Sequence, residues 1–254
     1  MKVEVYVVSH KKYKIPKKDG IYIPIQVGNG EGIPNFLRDN SGENTSFKNN
    51  SYCELTAQYW AWKNRDANVK GLVHYRRLLV EKNVFLNKFN YNLVLGKNDI
   101  VNILKKYDVI VPQKRNYFVE NLRNHYNHSH KKIGLITTEL VLKEDYPEYF
   151  RIFEEHLKST KSHMFNMIIA KADIFDEYSN WLFEVLRKVE NKIDISNFSE
   201  SEQRIFGYLS ELLLDVWIKK NGLTFYEFPV GFVEGESKLI KGFKMLKRKY
   251  LKSE

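Results

Sequence analysis

Two neighbouring segments decide the fold: N-T-S-F-K-N-N-S-Y-C-E-L-T-A-Q-Y-W-A-W-K-N at residues 44–64 and G-L-V-H-Y-R-R-L-L at residues 71–79. Ser51 and Glu54 have the spacing of a capping box, in which each side chain satisfies a free backbone amide, so a helix is predicted to begin there. The apolar run from Gly71 to Val73 is typical of a strand that is covered on both faces. The sequence therefore predicts a capped helix that leads into a buried strand.

Polar side chains follow this strand directly, in the order His74, Tyr75, Arg76 and Arg77. In open α/β sheets, ligands bind in the crevice beyond the carboxyl ends of the strands. Two adjacent guanidinium groups match phosphate oxygens and stay charged at any working pH. We therefore expect them to bind a diphosphate, as carried by a nucleotide-sugar. The alternative is that both are ordinary surface cations, and strand alternation directs them to opposite sides of the sheet.

The segments E-N-T-S-F-K-N-N-S-Y-C-E-L-T-A-Q-Y-W-A-W-K-N and G-L-V-H-Y-R-R-L-L resemble the signature of a bacterial family of capsular and exopolysaccharide biosynthesis glycosyltransferases. Further matches are V-V-S-H-K-K-Y at 7–13, H-M-F-N-M-I-I-A at 163–170, Y-S-N-W-L-F-E-V-L at 178–186 and R-I-F-G-Y-L-S-E-L-L-L at 204–214. The resemblance extends from Val3 to about Val233. It implies a GT-A-like fold and transfer of a sugar from a nucleotide donor to a growing surface glycan. The donor and acceptor do not follow from the resemblance, and our separate expectation is a UDP-linked, galactose-type donor and a lipid-linked glycan acceptor.

The order of predicted elements indicates an α/β fold. Strands are predicted near residues 2–9, 22–27, 71–73, 107–111, 163–170 and 223–228, and helices near 98–104, 147–158, 174–185 and 199–220. This alternation predicts one domain over residues 1–236, with a mainly parallel sheet flanked by helices on both faces. The segment 80–97 is irregular and aromatic, and we interpret it as a flap. Residues 237–254 form a separate tail.

The positive charge is concentrated in that tail. The chain has a net charge of +10, and residues 237–254 hold seven basic residues and one acidic residue. Leu239, Phe243, Leu246 and Tyr250 fall on one helical face, which is typical of a basic amphipathic helix on an anionic membrane surface. The alternative is a solvated helix packed on the domain. The mildly basic remainder argues against nucleic-acid binding, the class that a sequence pI near 9.3 would otherwise suggest.

Three further features predict a cytoplasmic protein, peripheral at the inner face of the cell membrane. No apolar run approaches the roughly 18–20 residues needed to span a bilayer. Glu4 interrupts the apolar N-terminus, which therefore favours a strand over a signal peptide. Cys53 is the single cysteine, so no internal disulfide forms.

The resemblance also implies candidate donor-binding residues. Ser9 and His10 follow the first strand, where this fold meets the nucleoside of the donor. Asn44, Lys48 and Asn49 lie in the polar segment before the predicted capped helix. Their amides and ammonium bind a sugar or phosphate in one interpretation and close turns in the other.

Candidate acceptor residues lie in the second half of the chain. His130 matches a histidine of the family, although Gly134 stands near where relatives tend to have an acidic residue. His163 and Asn166 are polar in an apolar setting. A capping box at Ser199 and Glu202 begins a long helix, on which Arg204, Tyr208, Glu211 and Asp215 form one row. Glu211, with aromatic and cationic neighbours, is the predicted catalytic base.

No metal cofactor is predicted, although a divalent cation stays an alternative. The sequence has no D-x-D motif, and Glu200/Glu202 and Glu234/Glu236 do not follow the central strand. The histidines at 125, 128 and 130 lack carboxylate or thiol companions at metal-binding spacing, so we interpret residues 113–132 as an acceptor-facing loop. Arg76, Arg77 and His74 are predicted to replace the metal. The alternatives are a non-catalytic glycan-binding protein and a nucleic-acid-binding protein.

Overall fold

A mostly parallel sheet forms the centre of the molecule. The computed structural model describes residues 1–82 and 89–233. Part of the predicted flap, residues 83–88, and the predicted tail helix lie outside these ranges. The strands are β1 (Val3–Ser9), β2 (Tyr22–Gln26), β3 (Leu37–Arg38), β4 (Val69–His74), β5 (Arg77–Leu79), β6 (Val109–Pro112), β7 (Arg115–Asn116), β8 (Lys161–Ser162), β9 (Ile168–Lys171), β10 (Phe225–Phe228) and β11 (Val230–Phe232).

The helices between these strands are α1 (Asn49–Tyr52), α2 (Leu55–Asn64), α3 (Lys97–Ile103), α4 (Leu122–Ser129), α5 (Lys132–Asp145), α6 (Pro147–Lys158), α7 (Ala172–Glu190), α8 (Glu200–Gln203) and α9 (Ile205–Lys220). Short 3-10 turns cover Lys18–Gly20, Ser46–Lys48 and Tyr91–Leu93. None of the helices in the described ranges has both the length and the apolar character that crossing a membrane requires.

The strand order confirms the predicted α/β architecture. The main path of the sheet is β3-β2-β1-β4-β9-β6-β10. Six of these strands run in one direction, and β9 runs against them because it pairs antiparallel with both β4 and β6. Off this path, β5 pairs antiparallel with β4 and β11. Strands β7 and β8 form a small sheet of their own.

Helices cover both faces of the sheet, as the apolar alternation of β1 predicts. Val5 and Val7 point to one face, whose core includes Ile100 of α3. Tyr6 and Val8 point to the other face, where α2, α4, α5, α6, α7 and α9 contribute to a larger core. Because side chains in a strand alternate with a period of two, one apolar strand supplies both cores.

The predicted first helix is broken, and its capping box is wrong. Ser51 lies inside α1, where its hydroxyl donates to the carbonyl of Lys48 at 3.2 Å. Cys53 has a φ of 53°, which ends α1, and α2 begins at Leu55. Glu54 makes no capping hydrogen bond and instead accepts one from the Asn166 side-chain amide at 2.7 Å. The chain therefore kinks at Cys53 instead of running straight.

Other boundaries also differ from prediction. The second capping box is confirmed, since the Ser199 amide donates to the Glu202 carboxylate at 3.0 Å, but the chain breaks again at Arg204 before α9. The predicted strand at 163–170 begins only at Ile168. The predicted loop at 113–132 contains α4, whose Asn121 cap accepts from the Asn124 amide at 2.9 Å.

A buried polar network connects α9 with the segment before β9. Asp215 accepts hydrogen bonds from the His163 amide at 2.9 Å and from the Ser162 hydroxyl at 3.0 Å, and it contacts Nδ1 of His163 at 2.6 Å. Nε2 of His163 contacts Glu227 at 2.8 Å. Although burial alone would raise the pKa of Asp215, its hydrogen bonds with His163 hold that pKa well below the ordinary value. The structure therefore corrects the acceptor-binding assignment of His163, because its buried ring is fully engaged with two carboxylates.

Replacing Asp215 with asparagine is expected to lower the free energy of unfolding by about 3 kcal/mol, because it leaves buried partners without their carboxylate. Urea unfolding followed by circular dichroism measures the change. The Glu155→Gln variant is the control, since Glu155 forms an exposed ion pair with Lys219 and its loss is expected to change little. Equal losses in the two variants would contradict this role of Asp215.

Candidate functional site

The main cleft lies beyond the carboxyl ends of β1 and β4 and has a volume of about 640 Å³. This is the edge at which parallel strands present their loops to ligands. The cleft brings together seven of the residues singled out from the sequence, drawn from segments far apart in the chain: Ser9, His10, Asn49, His74, Arg76, Arg77 and Arg204.

A tight hairpin after β4 places both arginines in this cleft. The strand ends at His74, which pairs with Arg77 at the start of β5, so Tyr75 and Arg76 form the turn. Arg76 is exposed and lies over the Tyr75 ring at 5.2 Å, whereas Arg77 is half-buried over the Phe165 ring at 4.6 Å. The expectation that strand alternation separates the two guanidiniums is wrong, because the strand has already ended.

Arg77 is electrostatically unusual. Burial and the adjacent charge of Arg76 lower the pKa of Arg77. Its Nε atom is buried and has no hydrogen-bond partner among the described residues. A buried donor without a partner costs free energy, so an anion that accepts from Arg77 would be bound favourably.

Ser9, His10 and Asn49 also line the main cleft. The Ser9 hydroxyl accepts from the Lys11 amide at 3.1 Å and donates to the Lys11 carbonyl at 2.6 Å, which fixes the loop after β1. The His10 ring meets the Tyr75 ring edge-on at 5.6 Å. The side-chain amide of Asn49 donates to the Cys53 carbonyl at 2.8 Å and therefore stabilises the kink between α1 and α2.

The structure does not bring Asn44 and Lys48 to this cleft. Asn44 closes a turn through its side chain. Its Nδ2 donates to the Gly42 carbonyl at 2.9 Å, and its Oδ1 accepts from the Ser46 backbone amide at 3.2 Å. The Lys48 ammonium contacts the Glu190 carboxylate at 2.5 Å on the other side of α1. The donor-binding assignment of these two residues is corrected accordingly.

His130, Tyr208 and Glu211 line a small cavity of about 140 Å³, which Phe165 also lines. His130 stacks on Tyr208 with 4.0 Å between ring centroids. Arg204, Tyr208 and Glu211 are spaced i, i+4, i+7, so one face at the start of α9 runs from the main cleft to the small cavity. The predicted row on this helix therefore connects two adjoining spaces.

Gly134, four residues after His130, is a closely packed position. A Cβ atom at this buried glycine would lie 2.6 Å from Cδ1 of Ile205 and 2.7 Å from the Tyr126 hydroxyl oxygen. A longer side chain at this position would require the Ile205 and Tyr126 side chains to move. The small cavity of this chain therefore has Glu211 as its carboxylate.

Glu211 takes up a proton near neutral pH. Its carboxylate accepts a hydrogen bond from the Phe165 amide at 3.0 Å. Burial and the nearby charge of Glu54 raise its pKa to about 7, although Arg77 and Arg115 oppose the shift. A carboxylate with such a pKa suits general-base chemistry at working pH.

Phe165 and Asn166 form a strained turn between the two spaces, with φ values of 79° and 51°. Nε2 of His74 donates to the Phe165 carbonyl at 2.6 Å, opposite the bond from the Phe165 amide to Glu211. The Asn166 amide donates to Glu54 at 2.7 Å and to the Gly207 carbonyl at 3.0 Å. Both amide hydrogens of Asn166 are thereby used, so its sugar-binding assignment is corrected to a positioning role.

His74 is a neutral group in this arrangement. Burial lowers its pKa below the ordinary value despite the neighbouring Glu54 carboxylate, which lies 3.8 Å from Nε2. The lowered pKa disfavours a charged His74 ring, which argues against the predicted part of His74 in the clamp beside Arg76 and Arg77. Glu54 was missed from the sequence because its spacing to Ser51 favoured a helix cap.

The acidic and histidine side chains show no metal-binding cluster within residues 1–82 and 89–233. Glu202 caps α8 and pairs with Lys131, and His125 and His128 both contact Glu120. The prediction that no metal is required stays a prediction, which a chelator tests.

The Glu211→Gln variant is expected to gain stability relative to the wild type as pH rises. A raised pKa means that the folded state binds more protons than the unfolded state between the ordinary value of 4.5 and about 7, so wild-type stability falls across this window. The difference in unfolding free energy between variant and wild type should grow by roughly 3 kcal/mol from pH 4 to pH 8.

Chemical unfolding at several pH values measures this difference. Glu177→Gln is the matched control, because Glu177 is exposed on α7 and lines neither space. A pH-independent difference for Glu211→Gln would show that this carboxyl does not titrate in the folded protein.

The fold matches that of a known glycosyltransferase. A solved structure described as the apo form of the bifunctional glycosyltransferase WbbM has a TM-score of 0.81 and 28% sequence identity to this chain. The match covers 93% of this chain and 46% of that chain, so this chain spans about half the length of WbbM.

No curated protein shows significant similarity to this sequence. Residues 4–222 match a family described as a domain of unknown function, DUF4422. Because these residues make up most of the 254 in the sequence, the chain belongs to the DUF4422 family.

Proposed function

We propose that this chain is a glycosyltransferase that moves a hexose, galactose-type, from a UDP-linked donor to a lipid-linked glycan acceptor in capsular or exopolysaccharide synthesis. The observation that supports it most strongly is the adjacency of an arginine-lined cleft and a carboxylate with a pKa near 7. The likeness to WbbM favours the same reaction class.

The main cleft is proposed to bind the donor. The diphosphate lies against Arg76 and Arg77, and the unpartnered Nε–H of Arg77 donates to a phosphate oxygen. The nucleoside lies toward the loop held by Ser9, and Arg204 closes the cleft from α9. As the bond to the diphosphate breaks, the guanidiniums stabilise the charge that develops on the leaving group.

Glu211 is proposed as the base. It removes the proton from an acceptor hydroxyl, whose oxygen attacks the anomeric carbon of the donor while the nucleoside diphosphate departs. The stacked rings of His130 and Tyr208 offer an apolar surface for the acceptor sugar beside this carboxylate. The Phe165 amide orients the carboxylate for that step.

Measuring UDP binding and sugar transfer separately distinguishes the proposed role of Arg77 in donor binding from that of Glu211 as the base. The Arg77→Ala variant is expected to weaken UDP binding by at least about tenfold in calorimetry, because it removes hydrogen bonds to a charged group. The Glu211→Gln variant should bind UDP normally but fail to transfer sugar in a nucleotide-sugar panel. The control is Arg151→Ala, an exposed arginine on α6.

Two outcomes would contradict the proposal. Unchanged UDP affinity in Arg77→Ala would show that Arg77 does not bind the diphosphate. Normal sugar transfer by Glu211→Gln would show that Glu211 is not the base. Loss of turnover in a chelator would contradict only the metal-free part.

An exposed apolar surface supports contact with a lipid-linked acceptor. Ile133, Ile136 and Leu140 are spaced i, i+3, i+7 on α5 and are 44%, 57% and 42% exposed. Lys132 and Lys143 are exposed on the same helix. Exposed apolar side chains beside cations match the chemistry of an anionic bilayer surface, and we call these three residues the α5 apolar face.

Sedimentation with vesicles containing phosphatidylglycerol tests membrane contact. The Ile136→Ser/Leu140→Ser variant and a chain lacking residues 237–254 are each expected to bind at least about fivefold more weakly, because each loses apolar insertion or cationic attraction. Asn102→Ser, at an exposed position of α3, is the control. Unchanged binding in both variants, or no binding by the full chain, would contradict this part of the proposal.

A further inference from the structure

A third cleft lies between α2 and α7 and has a volume of about 230 Å³. Lys48 and Tyr52 line it, whereas Asn49 and Cys53 line the main cleft. The short helix α1 therefore separates two spaces, and we call the third space the α2–α7 cleft. Neither the proposed donor site in the main cleft nor the proposed base in the small cavity uses residues of the α2–α7 cleft.

Aromatic rings form much of the wall of the α2–α7 cleft. Tyr59 and Trp62 of α2 are half-buried, and both rings contact Phe183 of α7. Trp62 and Phe183 are nearly parallel, with 14° between their planes and 6.2 Å between centroids, and Tyr59 meets Phe183 edge-on at 5.0 Å. Lys63 lies over the Trp62 ring at 3.7 Å and helps to fix the indole.

Polar groups stand beside these rings. Asn180, Glu184 and Arg187 are spaced i, i+4, i+7 on α7 and are exposed along one edge of the cleft. Within the described ranges, neither Asn180 nor Arg187 has a side-chain hydrogen bond or ion pair. Across the cleft, the Thr45 hydroxyl oxygen is buried and has no hydrogen-bond partner there.

This combination matches the chemistry of a sugar ring, which has apolar C–H faces and a periphery of hydroxyl groups. Aromatic faces pack against C–H groups, while amide, carboxylate, guanidinium and hydroxyl groups bind the hydroxyls. The volume is below the roughly 300–1,000 Å³ of pockets for drug-sized ligands, so it suits a single ring and not a nucleotide-sugar.

We infer that the α2–α7 cleft binds one pyranose unit of a glycan, separately from the donor and base sites. The identification of that glycan as acceptor or product rests on the proposed function, whereas sugar binding as such does not. A glycan held there remains attached to the protein between transfer events, because binding at a second site raises the effective concentration of the chain.

Saturation-transfer NMR tests the inference with the full chain and methyl glycosides of galactose, glucose and mannose. At least one glycoside is expected to receive saturation at its ring C–H protons. The Asn180→Ala/Arg187→Ala variant should raise its dissociation constant about tenfold or more, since both side chains contact the sugar. Both residues are exposed and outside the core, so the variant should fold normally.

Two controls locate the site. Glu177→Ala alters an exposed residue of α7 outside the cleft, and Arg77→Ala alters the main cleft; both should retain glycoside binding. The inference would be overturned if no glycoside received saturation from the protein. It would also be overturned if the wild type and Asn180→Ala/Arg187→Ala bound the glycoside with equal affinity. Loss of binding only in Arg77→Ala would also overturn it, while leaving the proposed donor site intact.

Discussion

The strained turn at Phe165 and Asn166 is the constraint on which the candidate site depends. Two successive non-glycine residues with left-handed backbone each cost of order 1–3 kcal/mol and persist only when their surroundings hold them. Here His74 binds the Phe165 carbonyl, Glu211 binds its amide, and Glu54 binds the Asn166 side chain. The site residues are thus ordered by the same hydrogen bonds that stabilise the turn.

This arrangement explains why the charges in the site do not cancel locally. Glu54 is near Glu211 and raises its pKa, whereas Arg77 and Arg115 lower it. If Glu54 were paired fully with an arginine, its influence would fall and Glu211 would stay ionised at lower pH. The carboxylate at position 54 therefore serves both as an anchor for Asn166 and as a source of the pKa shift at Glu211.

The sheet and its two cores follow from the sequence because alternation in β1 and the apolar run at Gly71 are local signals. The site was only partly predictable. Arg76 and Arg77 were found because cations at the end of a buried strand are unusual, whereas Glu54 has the spacing of a helix cap, and only the kink at Cys53 removes it from that role. His163 looked like a site residue because its partners Asp215 and Glu227 lie 52 and 64 residues away in sequence.

The kink at Cys53 lies beside the short helix that separates the main cleft from the α2–α7 cleft. Burial raises the pKa of the Cys53 thiol to about 11, so it is a packed neutral group that accepts a hydrogen bond from Arg204 at 3.2 Å. A Cβ at Gly207 would lie 3.0 Å from this sulfur, a tight contact that Cys53 or α9 would have to relieve by a few tenths of an ångström. The absence of a side chain at position 207 therefore lets α9 pack closely against the kink. Through this contact and the hydrogen bond from Arg204 to the thiol, the kink connects α9 to the wall of the main cleft.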